Sequence, residues 1–354
     1  MRKGWEYKKL GDCTQILDSQ RKPVTKRDRK SGIYPYYGAT GIQDYVDKYI
    51  FDGRYVLVGE DGAKWSSFTQ SAFIIEGKTW VNNHAHVLRT NVFLVDSFLV
   101  YFLNYSDLDS YISGAIIRKL TQASLRNIDI PLPPKSTQLA IVSELDKINE
   151  LIRLKKEQLK DLDNLAQSLF YEMFGDPVEN EKGWEVKKLG EICEIFAGGD
   201  KPKDMCEIQN NEYIYPVIAN GEGEKGILGY TKNCRVTKEA VTIGARGASI
   251  GNCRIVKNGF TPAIRLLTLI PTGSIDCCFL YYFVKDLNYK QNGAGQAQLT
   301  VPNIKCEYIP LPPLSLQRLF AQRIEQIERE KSEVQKSIQD LETLLASRMQ
   351  YWFE

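Results

Sequence analysis

Several features that would assign a sequence to a common class are missing here. No run of apolar residues approaches the length of a membrane span, and Met1-Arg2-Lys3-Gly4-Trp5 leads into mixed sequence without the hydrophobic core of a secretory leader. Of the eight cysteines, only Cys13 lies in the first half, and no Cys-x-x-Cys pair occurs. We therefore expect a cytoplasmic protein without membrane contact, without a disulfide framework and without a zinc site.

Motifs of nucleotide and methyl-transfer chemistry are missing as well. No Asn-Pro-Pro-Tyr-type motif is present, and Gly77-Lys78-Thr79 lacks the upstream glycine of a P-loop because residue 72 is Ala. We do not expect this chain alone to transfer methyl groups or to hydrolyse ATP. We predict no catalytic residue and no bound metal ion.

The net charge is small and unevenly distributed. The whole chain carries +2, yet its first 135 residues hold 19 Lys and Arg against 14 Asp and Glu. A weakly basic part is compatible with nucleic-acid binding but is far from the footprint of a strongly basic DNA-binding protein. Charge alone does not identify the function.

An internal repeat is the most informative feature that is present. Residues 4–11, Gly-Trp-Glu-Tyr-Lys-Lys-Leu-Gly, recur at residues 183–190 as Gly-Trp-Glu-Val-Lys-Lys-Leu-Gly, an offset of 179. The offset grows to 185 in the middle of the repeat and returns to 179 where Leu120-Thr121 matches Leu299-Thr300. Matching ends around a divergent middle suggest one scaffold that carries two different binding surfaces.

Each copy of the repeat ends in the same proline-rich segment. Ile-Pro-Leu-Pro-Pro occupies residues 130–134 and 309–313, and each time a long charged run with apolar residues at heptad spacing follows. Because proline disfavours continuation of a sheet or a helix, the segment marks the end of a globular part and the start of a long helix. The predicted parts are two globular domains, 1–135 and 175–314, and two long helices, 136–174 and 315–354.

The two long helices are predicted to pair as a coiled coil. Each would span roughly 58 Å, more than the width of a small domain, so we favour helix-on-helix packing over packing of each helix on its own domain. The sequence supports pairing but not its direction. The predicted seam consists of Ile141, Leu145, Ile148, Ile152, Leu159, Leu162, Leu169, Ile324, Ile327, Val334, Ile338, Leu341 and Leu345.

Inside each domain, short β-branched and aromatic runs alternate with glycine clusters. This pattern predicts mainly strands with short helices, hence an α/β (α+β) fold of two similar tandem domains joined by two long helices.

These motifs together resemble the specificity subunit of type I restriction-modification systems. The resemblance rests on two divergent units that each run from Gly-Trp-Glu-x-Lys-Lys-Leu-Gly through Leu-Thr to Ile-Pro-Leu-Pro-Pro, followed by Gln138 or Gln317 and a heptad helix. Tyr-Pro followed by Gly-Ile-x-x-Tyr, and the segment 82–88, are also similar to that family. The resemblance covers essentially the whole chain.

The resemblance implies a non-catalytic DNA-reading subunit. Each globular part would be a target-recognition domain for one half of a bipartite double-stranded DNA sequence, and the paired helices would set the spacing. The helices would also dock two methyltransferase subunits, and endonuclease/translocase subunits would join for restriction. This chain would bind no cofactor, because S-adenosylmethionine would belong to the methyltransferase subunit, which modifies adenine at N6.

Candidate DNA contacts in the first domain come from three cationic segments and one polar segment. Cationic side chains pair with phosphate or guanine, whereas Asn and His suit base edges. A solvated loop or a tight turn is the structural alternative for each segment. The candidates are Arg21, Lys22, Lys26, Arg27, Lys64, Asn83, His84, Arg118 and Lys119.

Candidates in the second domain follow from its equivalent segments. Lys201 corresponds to Lys22, and Arg246 lies in the glycine-flanked segment 244–249. Gln296 and Gln298 replace the cationic pair that precedes Leu-Thr, and glutamine suits adenine.

Two further interpretations remain open from the residues alone. His84 and His86 at i,i+2 on a strand could face one metal ion, although buried hydrogen-bonded groups, or DNA contact by His84, explain them better. Asp61 with Glu76-Gly77-Lys78 loosely imitates a divalent-metal nuclease. A non-DNA-reading scaffold homologue is the other alternative.

Overall fold

The structure is a computed structural model that describes residues 5–114, 116, 118–221, 226–287 and 299–354. The chain divides into two compact units. One contains Met1–Lys156 together with Gln335–Glu354, and the other contains Glu157–Val334. Each unit therefore combines a globular domain with parts of both long helices.

The first domain is mainly β, as the sequence predicts. Its strands and helices up to the first long helix are β1 (Glu6–Lys9), α1 (Leu10–Cys13), β2 (Thr14–Ile16), β3 (Ser31–Gly38), β4 (Gly41–Val46), β5 (Phe51–Gly59), β6 (Ala72–Val81), β7 (Ala85–Thr90), α2 (Asp96–Tyr105), β8 (Ile112–Ser113), β9 (Lys119–Leu120), α3 (Gln122–Arg126), β10 (Asp129–Leu132) and α4 (Lys135–Phe174).

A six-stranded sheet forms the body of this domain, in the order β2-β7-β5-β6-β3-β4. Its neighbours pair antiparallel except β3 and β6, which are parallel. The buried strand residues Val56, Val58 and Leu88 pack with Phe98 and Leu99 of α2. Burial of these large side chains is the main stabilising term of the domain.

The proline-rich segment forms part of a short sheet. Strand β10 includes Pro131 and pairs antiparallel with β1, with Tyr7 opposite Pro131. Proline is tolerated here because the two-stranded sheet leaves the other edge of β10 without a ladder partner. The sheet joins the beginning of the domain to its end, directly before the long helix.

The second domain repeats this order of elements. Its strands and helices are β11 (Glu185–Lys188), α5 (Leu189–Ile192), β12 (Cys193–Ala197), β13 (Tyr215–Ile218), β14 (Ile227–Thr231), β15 (Ala240–Ile243), β16 (Cys253–Val256), β17 (Thr261–Pro262), β18 (Leu267–Pro271), α6 (Cys277–Asp286), α7 (Val301–Cys306), β19 (Tyr308–Leu311) and α8 (Leu314–Phe353).

Strand registers reproduce the correspondence expected from the repeat. Ile16 lies opposite Leu88, and Ile195 lies opposite Leu269 at the equivalent place. The second sheet is divided, however, into β12-β18-β15-β16 and β14-β13-β17, where the first domain has one sheet of six strands. The divergent middle of the repeat therefore changes the sheet itself and not only its loops.

Within each unit the parts of α4 and α8 run antiparallel. In the first unit, Arg348 pairs with Glu144, and Lys156 Nζ lies 2.8 Å from Glu342 Oε1. In the second, Lys331 Nζ lies 2.8 Å from Asp163 Oδ1, and the rings of Phe170 and Phe320 are 5.7 Å apart. Rising numbers on one helix meet falling numbers on the other, which gives the direction that the sequence left open.

The predicted seam positions are mostly buried. Ile141, Leu145, Ile148, Ile152, Leu162, Leu169, Ile324, Ile327, Val334 and Ile338 are buried, whereas Leu159, Leu341 and Leu345 are half-buried. The helices also pack on the globular domains: Ile141 and Leu145 belong to the same core as Phe98. The sequence favoured packing of the helices on each other over packing on the domains, whereas in the structure each long helix does both.

One buried glutamine fixes each long helix to its domain. The Gln138 side chain accepts from the Val95 backbone N–H at 2.9 Å and donates to the carbonyls of Phe93 and Pro133. Gln317 accepts from the Asp276 N–H and donates to the carbonyls of Ser274 and Pro312. The motif Pro-Pro-x-x-x-Gln thus forms the same joint twice.

Candidate nucleic-acid interface

The basic stretch of the first domain divides into an internal and an exposed part. The side chains of Lys22, Lys26 and Arg27 are exposed. The Arg21 guanidinium instead points into the domain, where Nη1 lies 2.5 Å from Glu60 Oε2 and donates to the Ala85 carbonyl at 2.8 Å. Arg21 is held inside the protein, so we leave it out of the proposed DNA contacts.

Two of the predicted cationic segments meet beside Trp65. This ring is buried, and its indole N–H donates to the Gly59 carbonyl at 3.1 Å. The Arg118 guanidinium lies 6.0 Å from the Trp65 ring and pairs with Asp109 at 2.8 Å. Exposed Lys64 and Arg118 line one shallow depression there, so both reach the same patch of surface.

The polar turn at Asn83 and His84 adjoins the same loop. Both side chains are exposed, and His84 Nδ1 lies 2.5 Å from Asp61 Oδ1. The Glu60 N–H donates to the His84 carbonyl at 2.8 Å, which joins the backbone of the turn to the loop. The structure therefore brings together Lys64, Arg118, Asn83 and His84, which are far apart in sequence.

His86 does not face the surface with His84. It is buried, its Nδ1 lies 2.6 Å from Asp18 Oδ2, and its Nε2 donates to the Leu120 carbonyl at 2.7 Å. The two histidines are therefore not ligands of one metal ion, since His84 precedes β7 and turns to Asp61.

Asp18, Glu60 and His86 nonetheless form a compact group of potential metal ligands within the described residues, with their ligand atoms within 4.8 Å of one another. The donor set is already neutralised, because Arg21 and Lys119 both pair with Glu60. A divalent cation would add charge beside two buried or half-buried cations. These residues do not fit a metal site.

Ionic partners keep both carboxyl groups of this group ionised. Burial raises the pKa of Asp18, but hydrogen bonds from His86 and the Val87 N–H outweigh it and lower that pKa below its ordinary value. Burial likewise raises the pKa of Glu60, and the hydrogen bonds from Lys119 and Arg21 bring it below the ordinary value. Both groups are therefore carboxylates at neutral pH.

The second domain carries Arg246 at a glycine turn. Arg246 is exposed and is followed by Gly247, whose φ of 59° matches the φ of 70° at Gly62. In the repeat, Arg246 takes the place of Asp61. Lys201 is exposed as well, whereas Gln296 and Gln298 lie outside the described residues.

Arg265 is a cation that the sequence reasoning missed. The strand pairs Tyr37–Val81 and Ile218–Pro262 are equivalent, so Ile264 and Arg265 take the places of Asn83 and His84. Both are exposed and have φ of 50° and 60°, a left-handed conformation that is costly for a β-branched residue. The offset of 181 residues that relates Tyr34-Pro35 to Tyr215-Pro216 also relates His84 to Arg265.

The turn at Ile264 and Arg265 is fixed by its neighbours. The Ile264 N–H donates to the Gly199 carbonyl at 2.7 Å, and the Arg265 N–H donates to the Gly198 carbonyl at 3.1 Å. The Asn220 side chain donates to the Ile264 carbonyl at 2.7 Å. Strain that is held in place in this way is typical of functional turns.

The carboxylates of the nuclease interpretation are far apart. Glu76 pairs with Arg54, at the opposite end of β5 from Gly59 and the loop that holds Asp61. The intervening strand spans roughly 17 Å at the usual rise per residue, too far for a shared metal ion. The geometry does not support this alternative.

Comparison with known families agrees with the two-domain architecture. A model of the type I restriction modification DNA specificity domain matches residues 2–164 and again residues 181–343. The chain belongs to the type I DNA specificity family. The two matches correspond to the two copies of the internal repeat.

Related proteins include subunits from bacteria and an archaeon. A candidate type I restriction enzyme specificity subunit of Haemophilus influenzae is 41% identical over 146 residues, which cover 41% of this chain and 38% of that protein. A candidate type I specificity subunit of Mycoplasma pneumoniae is 29% identical and covers 86% of this chain and 85% of that protein. The MjaIX specificity subunit of Methanocaldococcus jannaschii is 23% identical over 90% of this chain and 85% of that protein.

Solved structures share the fold. The crystal structure of a type I restriction-modification S subunit from M. genitalium has a TM-score of 0.62 at 15% identity and covers 99% of this chain and 96% of that one. A chain from a structural study of assembly and conformational transition of the type I system has a TM-score of 0.61 at 20% identity, covering 100% and 98%. In the described part of the chain, no helix is both long and apolar enough to span a bilayer.

Proposed function

We propose that this chain is the DNA-reading subunit of a type I restriction-modification complex and that each globular domain reads one half of a bipartite double-stranded target. One observation carries the proposal: equivalent positions in two surface turns hold different chemistry in the two domains. The first domain presents Asp61 and His84 where the second presents Arg246 and Arg265. Two half-sites of different sequence present different donors and acceptors, so two domains with the same fold need different polar side chains at equivalent positions.

In this proposal the exposed cations supply affinity and the turns supply specificity. Lys22, Lys26, Arg27, Lys64, Arg118 and Lys201 would contact phosphates or guanine, whereas Asn83, His84, Arg246 and Arg265 would face base edges. The two domains share one chain, so binding of the second half-site becomes intramolecular and raises the total specificity.

The remaining roles follow from family membership. The paired helices would set the spacing between half-sites and dock two methyltransferase subunits, while endonuclease/translocase subunits would join for restriction. This chain would contribute no catalytic residue and no cofactor. S-adenosylmethionine and the modification of adenine would belong to the methyltransferase partner in the cytoplasm.

Selection from a randomised duplex library tests the DNA-reading claim. The full chain with its methyltransferase partner is expected to enrich two short conserved blocks separated by a fixed unselected gap. Binding to the enriched duplex should weaken steeply with salt, because phosphate contacts release counterions. Enrichment of a single block, or an affinity that salt does not change, would contradict the proposal and would favour a scaffold that no longer reads DNA.

A spacer insertion tests the helix role. One heptad added to α4 after Lys156 and one added to α8 after Val334 keep the seam in register. We expect the unselected gap to lengthen by about three base pairs while both blocks keep their sequence. An unchanged gap, or altered blocks, would show that the helices do not set the spacing.

A further inference from the structure

A network of five ionisable side chains lies inside the first domain, and we call it the charged cluster: Asp18, Arg21, Glu60, His86 and Lys119. Glu60 is at its centre, with Oε1 2.6 Å from Lys119 Nζ and Oε2 2.5 Å from Arg21 Nη1. Asp18 Oδ2 lies 2.6 Å from His86 Nδ1 and 3.4 Å from Arg21 Nη2. The side chains of Asp18, Glu60 and His86 are almost completely buried.

The second domain keeps the equivalent strand registers and the equivalent backbone hydrogen bond without these charges, so this part of the fold does not require them. The Leu120 N–H donates to the Glu60 carbonyl at 2.8 Å, and the Leu299 N–H donates to the Ala245 carbonyl at 3.0 Å. Ala245 therefore stands where Glu60 stands. The strand registers likewise place Leu267 at the position of His86 and Ala197 at the position of Asp18.

Burying charges is costly, so their presence needs a reason other than stability. Replacing a buried ionic network by apolar residues of similar size is often neutral or stabilising. The second domain shows that the apolar solution is available in this fold, since Ala245 and Leu267 are buried there. The charged cluster is consequently specific to the first domain and does not belong to the scaffold that both domains share.

Three members of the charged cluster, Arg21, Glu60 and Lys119, lie in or contact candidate DNA-facing segments. Arg21 opens the basic stretch and donates to the carbonyls of Asn83 and Ala85, at the polar turn. Glu60 begins the loop that contains Asp61 and Lys64. Lys119 follows Arg118. The basic stretch, the polar turn, the loop and the segment 118–120 are thereby joined through the Glu60 carboxylate.

We propose that the charged cluster is the positioning device of the first domain. It fixes these four exposed segments relative to one another so that together they read one DNA half-site. Arg21 and Lys119 act through Glu60 rather than by contact with phosphate. This inference rests on the proposed function and assigns the specificity of the first half-site to residues that are mostly buried.

The substitution Lys119→Met separates positioning from contact. The full chain with its methyltransferase partner is measured on the duplex enriched by the wild-type complex and on duplexes with either block scrambled. A positioning lysine leaves the slope of log affinity against log salt unchanged and lowers the preference for the first block about tenfold, with the second block unaffected. A phosphate-contacting lysine reduces that slope by about one and keeps the preference, which would overturn the proposal.

Lys232→Met is the matched control. The Lys232 side chain is 40% exposed and pairs with Glu212, much as the Lys119 side chain is 41% exposed and pairs with Glu60. The Glu212 carboxylate is exposed, however, and among the described residues its ionic partner is Lys232 alone. We expect the control to keep the preference for both blocks. An equal loss of the first-block preference in both variants would assign the effect to loss of a cation in general and would contradict positioning.

An apolar replacement of the whole charged cluster tests whether the charges are structural. The variant combines Asp18→Ala, Glu60→Ala and His86→Leu, as in the second domain, with Arg21→Met and Lys119→Met. It should fold, as the second domain does, and enrich only the second block. Recovery of the wild-type first block would overturn the proposal.

Failure of the wild-type complex to enrich two blocks would instead contradict the proposed function. If this variant does not fold, the Lys119→Met measurement alone tests the proposal. The Lys119 side chain is partly exposed, so that single substitution does not disturb the core.

Discussion

At the scale of single residues, buried amides do more to define the architecture than charged groups do. Gln138 and Gln317 have no exposed surface, and each satisfies three backbone groups at the joint between a domain and its helix. A leucine has nearly the same volume but leaves those groups buried without partners, and each such group costs about 1–3 kcal/mol.

We therefore expect Gln138→Leu to lower the free energy of unfolding of the first unit by about 3 kcal/mol. Chemical denaturation followed by tryptophan fluorescence measures the change. Gln339→Leu, at an exposed helix position, should change it by less than about 0.5 kcal/mol. Equal effects of the two substitutions would show that the amide contributes nothing beyond its helical position.

Asp18 gives the first domain an acid-sensitive contribution to stability. Burial raises the pKa of Asp18, but the hydrogen bonds from His86 and the Val87 N–H outweigh it, so the pKa is lowered in the folded protein. The ionised Asp18 therefore stabilises the fold at pH values above the ordinary carboxyl pKa. This contribution is lost as the pH falls through the pKa that Asp18 has in the folded protein. Asp18→Asn should be less stable than wild type at pH 7, and the difference should shrink on acidification. Thermal unfolding across pH checks this, and a difference independent of pH would be the contrary result.

Ile264 stores strain at the surface of the second domain. Its φ of 50° is unfavourable for a β-branched residue, whereas asparagine tolerates the left-handed region. Ile264→Asn should raise the free energy of unfolding by roughly 0.5–1 kcal/mol. The same variant should change the second block of the enriched DNA. A stabilised variant with unchanged DNA selection would mean that the turn does not read bases.

Residue roles could be predicted from the sequence only where a local pattern defines them. The repeat places Arg246 in a glycine-flanked segment, and in the structure this side chain is exposed beside Gly247. The role of Arg21 could not be predicted, because its partner Glu60 lies 39 residues away and is brought close by strand pairing. The basic run around Arg21 predicts an exposed side chain that contacts phosphate. An ion pair between Arg21 and a carboxylate far away in the sequence leaves no pattern in the sequence that could reveal it.

At the scale of elements, the long helices were the most predictable part. A sustained heptad stripe bounded by Pro-Pro predicts a helix almost to the residue, and α4 and α8 begin at Lys135 and Leu314. The split of the second sheet was not predictable, because β-strand runs indicate strands but not their partners. Pairing depends on contacts far apart in sequence.

An aromatic cluster anchors the end of α4 to the second domain. The Phe170 ring is fully buried and lies 5.7 Å from the rings of both Phe279 and Phe320. Phe170→Ala should cost about 3 kcal/mol or more, since it leaves a cavity among rings that cannot collapse easily. Glu172→Ala, at an exposed position of the same helix, is the control and should cost much less in the same denaturation experiment.

At the scale of the whole molecule, the first unit is not a continuous stretch of chain, whereas the second unit is. The last helical turns, Gln335–Glu354, belong to the unit that begins at the other end of the sequence. Phe353 packs against Phe98 and Phe102 of α2, and the Trp352 indole donates to Glu144. The core of the first unit is therefore incomplete until residues 335–354 have been made.

Truncation after Val334 tests this dependence. The removed segment carries Met349 and Phe353, which cover the apolar surface of α2 and of the first part of α4. We expect faster proteolysis within residues 1–156 although no residue of that stretch has changed, because its core becomes exposed to water. Unchanged protection of this stretch would show that it folds without the distant segment.

The joint built around Gln138 and Gln317 has a consequence for how this chain can change over time. On the domain side, the hydrogen bonds of the glutamine side chain go to main-chain atoms: the N–H of Val95 or Asp276 and the carbonyls of Phe93 or Ser274. Main-chain atoms are present whatever the side chain is. Mutations can therefore rewrite the exposed segments of a domain while its attachment stays intact, which makes the two domains evolvable independently of the helices that carry them.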